Sequence, residues 1–165
     1  LLYYKFLPPI KVDINSLIYP NREDINLRID FIYNFILKPD SNYKDSSYFQ
    51  FLKELKKHSY YIKDIDIERH VKKFRKLYFL LKNNNYQPKK YGYVTVERVK
   101  INMKFVYPNN GRIVDGMEVT NKYILVEGAH RIAVLKVLGY NEVFVKRTSR
   151  HRVNSSDYTT FIKTY

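Results

Sequence analysis

Tyr123-Ile124-Leu125-Val126-Glu127-Gly128-Ala129-His130-Arg131, running on through Ile132-Ala133-Val134-Leu135-Lys136-Val137-Leu138-Gly139-Tyr140, joins two kinds of structure. The apolar run Tyr123–Val126 reads as a buried strand, Glu127-Gly128 as a turn, and Ala129–Leu138 as a helix. Gly139 sits where a helix-terminating glycine belongs. His130 and Arg131 therefore fall in the first helical turn. The first N–H groups of a helix lack intrahelical acceptors, and the dipole is positive at that end, so this turn favours an anion. A histidine and an arginine added there make a candidate phosphate cradle. A His or Arg at a helix start is also commonly just a solvated cap, so the motif needs support from its surroundings.

Outward from this stretch, Val143–Val145 reads as a closing strand. Upstream, Tyr93–Val99 and Ile101–Tyr107 are strand candidates, with Pro108-Asn109-Asn110-Gly111 as a turn. A short segment follows around Ile113-Val114. Ile67 to Lys82 carries Val71, Phe74, Leu77, Tyr78 and Leu81 as an apolar helical stripe. Lys72, Lys73, Arg75, Lys76 and Lys82 load its other faces. Asn83-Asn84-Asn85 stops that helix, and Pro88 is expected to prevent a restart. Asp45-Ser46-Ser47 caps a helix to about His58, with Tyr48, Phe51, Leu52 and Leu55 on one face. Ile25–Leu37 is mixed, with Ile29, Ile32, Tyr33 and Ile36 at helical spacing and Pro39-Asp40 closing it. Ile10–Ile14 alternates as a half-buried strand does and runs toward a turn at Leu17–Asn21. The expected class is α+β, with helices packed on a small mixed sheet.

At 165 residues and 45% hydrophobic, the chain has material for one globular domain with a core, taken here as residues 1–165. Thirty Lys and Arg against 16 Asp and Glu give +14, which favours anionic partners: nucleotides, nucleic acid or polyanionic saccharide. An AT-rich genome would also enrich Lys, Asn, Ile and Tyr, so the bias has two sources. Cysteine is absent, which excludes disulfides, thiolate catalysis and cysteine metal sites. No run approaches the ~18 apolar residues of a membrane span. The opening Leu1–Leu7 has no Met, as in a trimmed chain or a piece of a longer one, and is too short and aromatic for a clear secretory signal. A cytoplasmic protein without membrane association is the expectation.

The order of strand, amphipathic helix, Asn-rich turn, strand, Val-Glu-Gly-Ala-His-Arg-Ile-Ala-Val-Leu-Lys-Val-Leu-Gly-Tyr and Val-Phe-Val resembles the ParB/sulfiredoxin-like superfamily. That family's signature is a strand, a Gly-x-His-Arg or Gly-Glu-Arg-Arg turn, a short helix ending in Leu-Gly, and a closing strand. The likeness spans roughly Val71 to Lys146, centred on 123–146. Ile10 to Pro20 looks like the family's first strand, and about 25–67 looks like a helical insertion. Sulfiredoxins have their catalytic cysteine where Ala129 stands, so sulfinic-acid reduction is excluded. Partition proteins of the ParB type use Gly-Glu-Arg-Arg, bind CTP and continue into a DNA-binding domain; His130 and the end of the chain point away from them.

Glu127-Gly128-Ala129-His130-Arg131 is most similar to the Asp-Gly-x-His-Arg motif of the small-molecule kinase branch, the free-serine kinases among them, with Glu for Asp. The resemblance implies an ATP-dependent phosphotransferase, with ADP or CTP as other nucleotides, acting on an amino acid or sugar acceptor. Gly128 and Ala129 would wrap the phosphates, His130 and Arg131 would neutralise them, and Glu127 would sit near the metal or acceptor. Mg²⁺ is expected from the chemistry and no metal-ligating residues are assigned. Glu23 or Asp24 would supply the base that takes the acceptor's hydroxyl proton, unless Arg22-Glu23-Asp24 is an exposed polar turn or a helix start. Two alternatives stay open: a nucleic-acid-binding or nuclease-like module of the same fold, and a noncatalytic domain of a larger assembly.

The remaining candidates have plainer readings. His58 and His70, twelve apart, read as exposed helix histidines rather than metal ligands. His151 sits in a basic, hydroxyl-rich tail. Asp115-Gly116 echoes the main motif but no helix pattern follows it. The 17 tyrosines read mainly as edges of the core. Ser16 and Ser59 have no base partner.

Overall fold

The computed structural model describes residues 7–17, 24–38, 40–58, 66–98, 105–107, 112–114 and 123–148. Glu23, the 108–111 turn, Asp115-Gly116, Ser59 and His151 lie outside the described residues. The architecture is mixed α+β, as expected: among the described residues, a small four-stranded mixed sheet and five α-helices. The elements group into two compact units.

The sheet unit holds β1 (Ile10–Asp13), β2 (Val94–Arg98), β3 (Phe105–Tyr107), β4 (Arg112–Val114), β5 (Tyr123–Glu127) and β6 (Glu142–Arg147). The main sheet runs β1-β6-β2-β5, and β3 pairs with β4 as a separate antiparallel ribbon. β1 is antiparallel to β6, with Ile10 opposite Val145 and Val12 opposite Val143. β6 and β2 are parallel, Val94 opposite Val145. β2 and β5 are antiparallel, with a register shift between Thr95 and Val96. Strand alternation sends Val12, Val94, Val96, Val143 and Val145 inward, while Phe144 is exposed. β1 ends where the Asp13 carboxylate accepts from the Asn15 N–H at 2.8 Å and opens a 3₁₀ turn at Ile14–Ser16. The Ile14 N–H donates to the Asn141 carbonyl at 2.9 Å, tying that turn to the start of β6.

The helical unit holds α1 (Asp24–Phe31), α2 (Ser47–His58), α3 (Ile67–Asn84), α4 (Pro88–Tyr91) and α5 (Ala129–Val137). α1 packs on α2 and α5, and α3 packs on the same two helices. The 25–67 stretch, expected as an insertion without a place, thus supplies two helices of this unit. The mixed pattern of Ile25–Leu37 has a structural counterpart: α1 widens into a π turn over Ile32–Ile36. Ser46 is the cap of α2, its hydroxyl accepting from the Phe49 N–H at 3.1 Å. Asp66 caps α3 by accepting from the Arg69 N–H at 3.0 Å. α3 ends at Asn84, and Asn85 turns the chain out of the helix at φ 57 and ψ 159, outside the left-handed helical well.

Pro88 corrects one expectation. It does not bar a restart but opens α4, because a proline in the first helical position lacks only an N–H that would be unsatisfied there anyway. α5 closes as expected. Gly139 takes φ 79, its N–H donates to the Lys136 carbonyl at 3.1 Å, and the Tyr140 N–H donates to the Leu135 carbonyl at 2.9 Å. That pair of bonds is a Schellman motif.

Candidate functional site

β5 ends at Glu127, Gly128 takes φ 104, and α5 opens at Ala129. A non-glycine residue would be strained at that φ, so Gly128 lets the chain turn from strand to helix without a spacer. Ala129 is buried, His130 and Arg131 are half-buried, and Glu127 is exposed. Glu127, Gly128, Ala129, His130 and Arg131 thus share one turn by sequence adjacency. Asp24 is the first residue of α1.

Arg131 is oriented by its own backbone neighbourhood. Its Nε–H donates to the carbonyl of Tyr91, the last residue of α4, at 3.0 Å. The short helix begun by Pro88 therefore presents the acceptor that fixes the guanidinium.

The ring of His130 leads to a group of residues that sequence reading did not bring together. Its Nε2 lies 2.7 Å from the hydroxyl of Tyr48 on α2 and 3.1 Å from Nε2 of His70 on α3. The Tyr48 hydroxyl is itself 3.1 Å from His70 Nε2. Three polar atoms from three helices meet at one point in the helical unit. Two neutral imidazole lone pairs cannot face one another at this separation without repulsion. One ring must hold its proton at Nε2, or a cation must take the proton's place.

Packing holds the three groups in this arrangement. Tyr48 is 1% exposed, with Phe31 and Phe74 rings centred 5.3 and 5.7 Å away. Phe74 also meets His130 edge-to-face at 4.6 Å. Arg28, buried on α1, places its guanidinium carbon 5.1 Å from the centre of the Tyr48 ring, a cation–π contact.

His70 corrects another expectation: it is half-buried and hydrogen-bonded, not an exposed helix histidine. Burial pushes its pKa below the usual 6.5, and the positive charges of Arg28 and then Lys73 push the same way. It is therefore neutral at pH 7 and keeps a lone pair. The clue was available in the helix pattern, since His70 stands four residues before Phe74 on the buried stripe. Tyr48 stands likewise four before buried Leu52 on α2. Nothing in the sequence indicates that those two stripes meet at His130.

No helix among the described residues is long and apolar enough to cross a membrane. No family model, curated protein or solved structure matches the chain.

Proposed function

We propose that the chain binds the phosphates of a nucleotide at Gly128–Arg131 and transfers a phosphoryl group from ATP to a small hydroxylated acceptor, in the manner of the ParB/sulfiredoxin-like kinases it resembles. The observation that carries the proposal is the turn of Gly128, at φ 104, directly into the first turn of α5. Backbone N–H groups at a helix start face an anion without any cost of rearrangement. Arg131, held through Nε by Tyr91, adds a positioned charge. Phosphoryl transfer asks chiefly for such positioning and for charge on the equatorial oxygens. Glu127, exposed at the strand end, is the carboxylate for the metal or the acceptor, with Glu23 or Asp24 as the base. Mg²⁺ would bridge the nucleotide phosphates.

Thermal stability with and without millimolar ATP, ADP or CTP plus Mg²⁺ tests this. A nucleotide at 100 times its dissociation constant stabilises the fold by about 2.7 kcal/mol. Arg131→Ala should remove most of that gain. No gain with any nucleotide would sink the proposal.

A second reading, binding of a nucleic acid, is favoured by one observation. Lys72, Lys73, Arg75, Lys76 and Lys82 are all exposed on α3. Affinity for a labelled oligonucleotide would then fall steeply with salt as counterions are released. Nucleotide binding through backbone amides would vary far less.

A further inference from the structure

We propose that His70, His130 and Tyr48 form a binding site for one borderline divalent cation of the Zn²⁺ class, taken through both Nε2 atoms and the phenolic oxygen. This goes beyond the nucleotide reading and does not rest on it: the His130 ring, expected from the sequence to neutralise phosphate, is turned to Tyr48 and His70, which leaves backbone N–H groups and Arg131 for the phosphate.

The geometry points to an ion. Three donors on three helices stand 2.7, 3.1 and 3.1 Å apart, all turned toward one another. A cation at about 2.0–2.1 Å from each imidazole nitrogen would subtend roughly 100° between nitrogens at that spacing, within the range of zinc coordination. Phe31 and Phe74 confine the Tyr48 ring and Phe74 that of His130, and the 2.7 Å Tyr48–His130 pair has to open by only a few tenths of an ångström to match the nitrogen pair.

The chemistry selects the class of ion. Imidazole suits Zn²⁺, Co²⁺, Ni²⁺ and Cu²⁺, whereas Mg²⁺ and Ca²⁺ want oxygen ligands. A neutral imidazole offers the lone pair of its unprotonated nitrogen to such an ion. Arg28 and Lys73 oppose added positive charge, so the third donor is best supplied as an anion. On binding, each imidazole keeps its proton at Nδ1 and Tyr48 releases its phenolic proton to solvent. The dication plus phenolate then carries a net single positive charge.

The test uses the full chain, freed of metal with a chelator and titrated with Zn²⁺ by calorimetry and with Co²⁺ by visible absorption. One ion per chain, Co²⁺ bands typical of a site with few ligands, and proton release in buffers of differing ionisation enthalpy are expected. His70→Gln and His130→Gln should each abolish the one-equivalent transition, and His58→Gln should leave it unchanged. Tyr48→Phe keeps the aromatic packing and should weaken binding, abolish the proton release and alter the Co²⁺ spectrum. Should the histidine variants fail to fold, the ¹⁵N signals of the ring nitrogens in the wild-type protein decide, with both Nε2 signals moving on Zn²⁺ addition. Absence of stoichiometric uptake by the folded wild type, or uptake undiminished by His70→Gln, would overturn the proposal. Nucleotide stabilisation measured in the chelator-treated protein keeps failure of this site distinct from failure of the phosphate site.

Discussion

The two units differ in what they bury. The sheet unit fills its inner face with Val12, Val94, Val96, Val143 and Val145, residues with no polar atom beyond the backbone. The helical unit buries Ile25, Phe74 and Leu81, but also the Arg28 guanidinium and the Tyr48 hydroxyl, with two imidazoles half-buried beside them. An aliphatic interior needs only hydrophobic transfer to hold it. Polar atoms inside a core cost free energy unless each is satisfied, so a helix bundle of this size would be simpler without them. The Tyr48 hydroxyl and the His70 ring gather at the ring of His130 in the first turn of α5, beside the phosphate site proposed above.

The contrast breaks most sharply at Tyr48. Tyr48→Ala removes a ring packed against Phe31 and Phe74 and leaves both imidazoles without their hydroxyl partner, so a loss of about 3–5 kcal/mol is expected by denaturant unfolding. A loss under 1 kcal/mol would mean the cluster is not packed as described. In the sheet unit, Val145→Ala opens only an apolar gap, and about 2 kcal/mol is expected from two lost methyl-sized groups and their cavity. That variant should leave nucleotide stabilisation intact, which separates structural from functional burial.

His70 sharpens the contrast through pH. Its pKa is lowered in the fold, so between the unfolded value of 6.5 and the lower folded value the unfolded chain binds more protons. Stability from this group is therefore full above pH 6.5, falls as pH drops through that window, and levels off below the folded value. One proton limits the slope to about 1.4 kcal/mol per pH unit. His70→Gln should flatten unfolding curves measured from pH 7.5 to 5, and an unchanged slope would count against burial of the ring. The smallest effect belongs to the surface of the sheet unit. Lys11 pairs with Glu142 across β1 and β6, both side chains about half exposed, and Lys11→Ala should change stability by under about 1 kcal/mol.

Local signals were the legible ones. The apolar stripe of α3, the Ser46 cap of α2 and the Gly139 terminus of α5 each depend on residues within a turn or two of one another, and each stands where its pattern placed it. Pro88 is ambiguous in the sequence because the same residue both breaks a helix interior and suits a helix start; its position relative to the preceding Asn-rich stop decides which. The strand order β1-β6-β2-β5 was not legible, since it pairs the first strand with the last across most of the chain. For the site, the sequence showed the turn at Gly128–Arg131 but not the Tyr48–His70–His130 convergence. Those residues are 22, 60 and 82 positions apart, and periodicity tells which face of a helix is buried without telling what it meets.

The central claim, that the start of α5 receives a phosphate, is tested most directly by adding ATP and Mg²⁺ to the ¹⁵N-labelled chain and following its amide resonances. The largest changes are expected at Gly128, Ala129, His130 and Arg131, and Arg131→Ala should sharply reduce them. Unmoved amides at that turn in millimolar ATP, or changes confined to the lysine-bearing faces of α3, would contradict it.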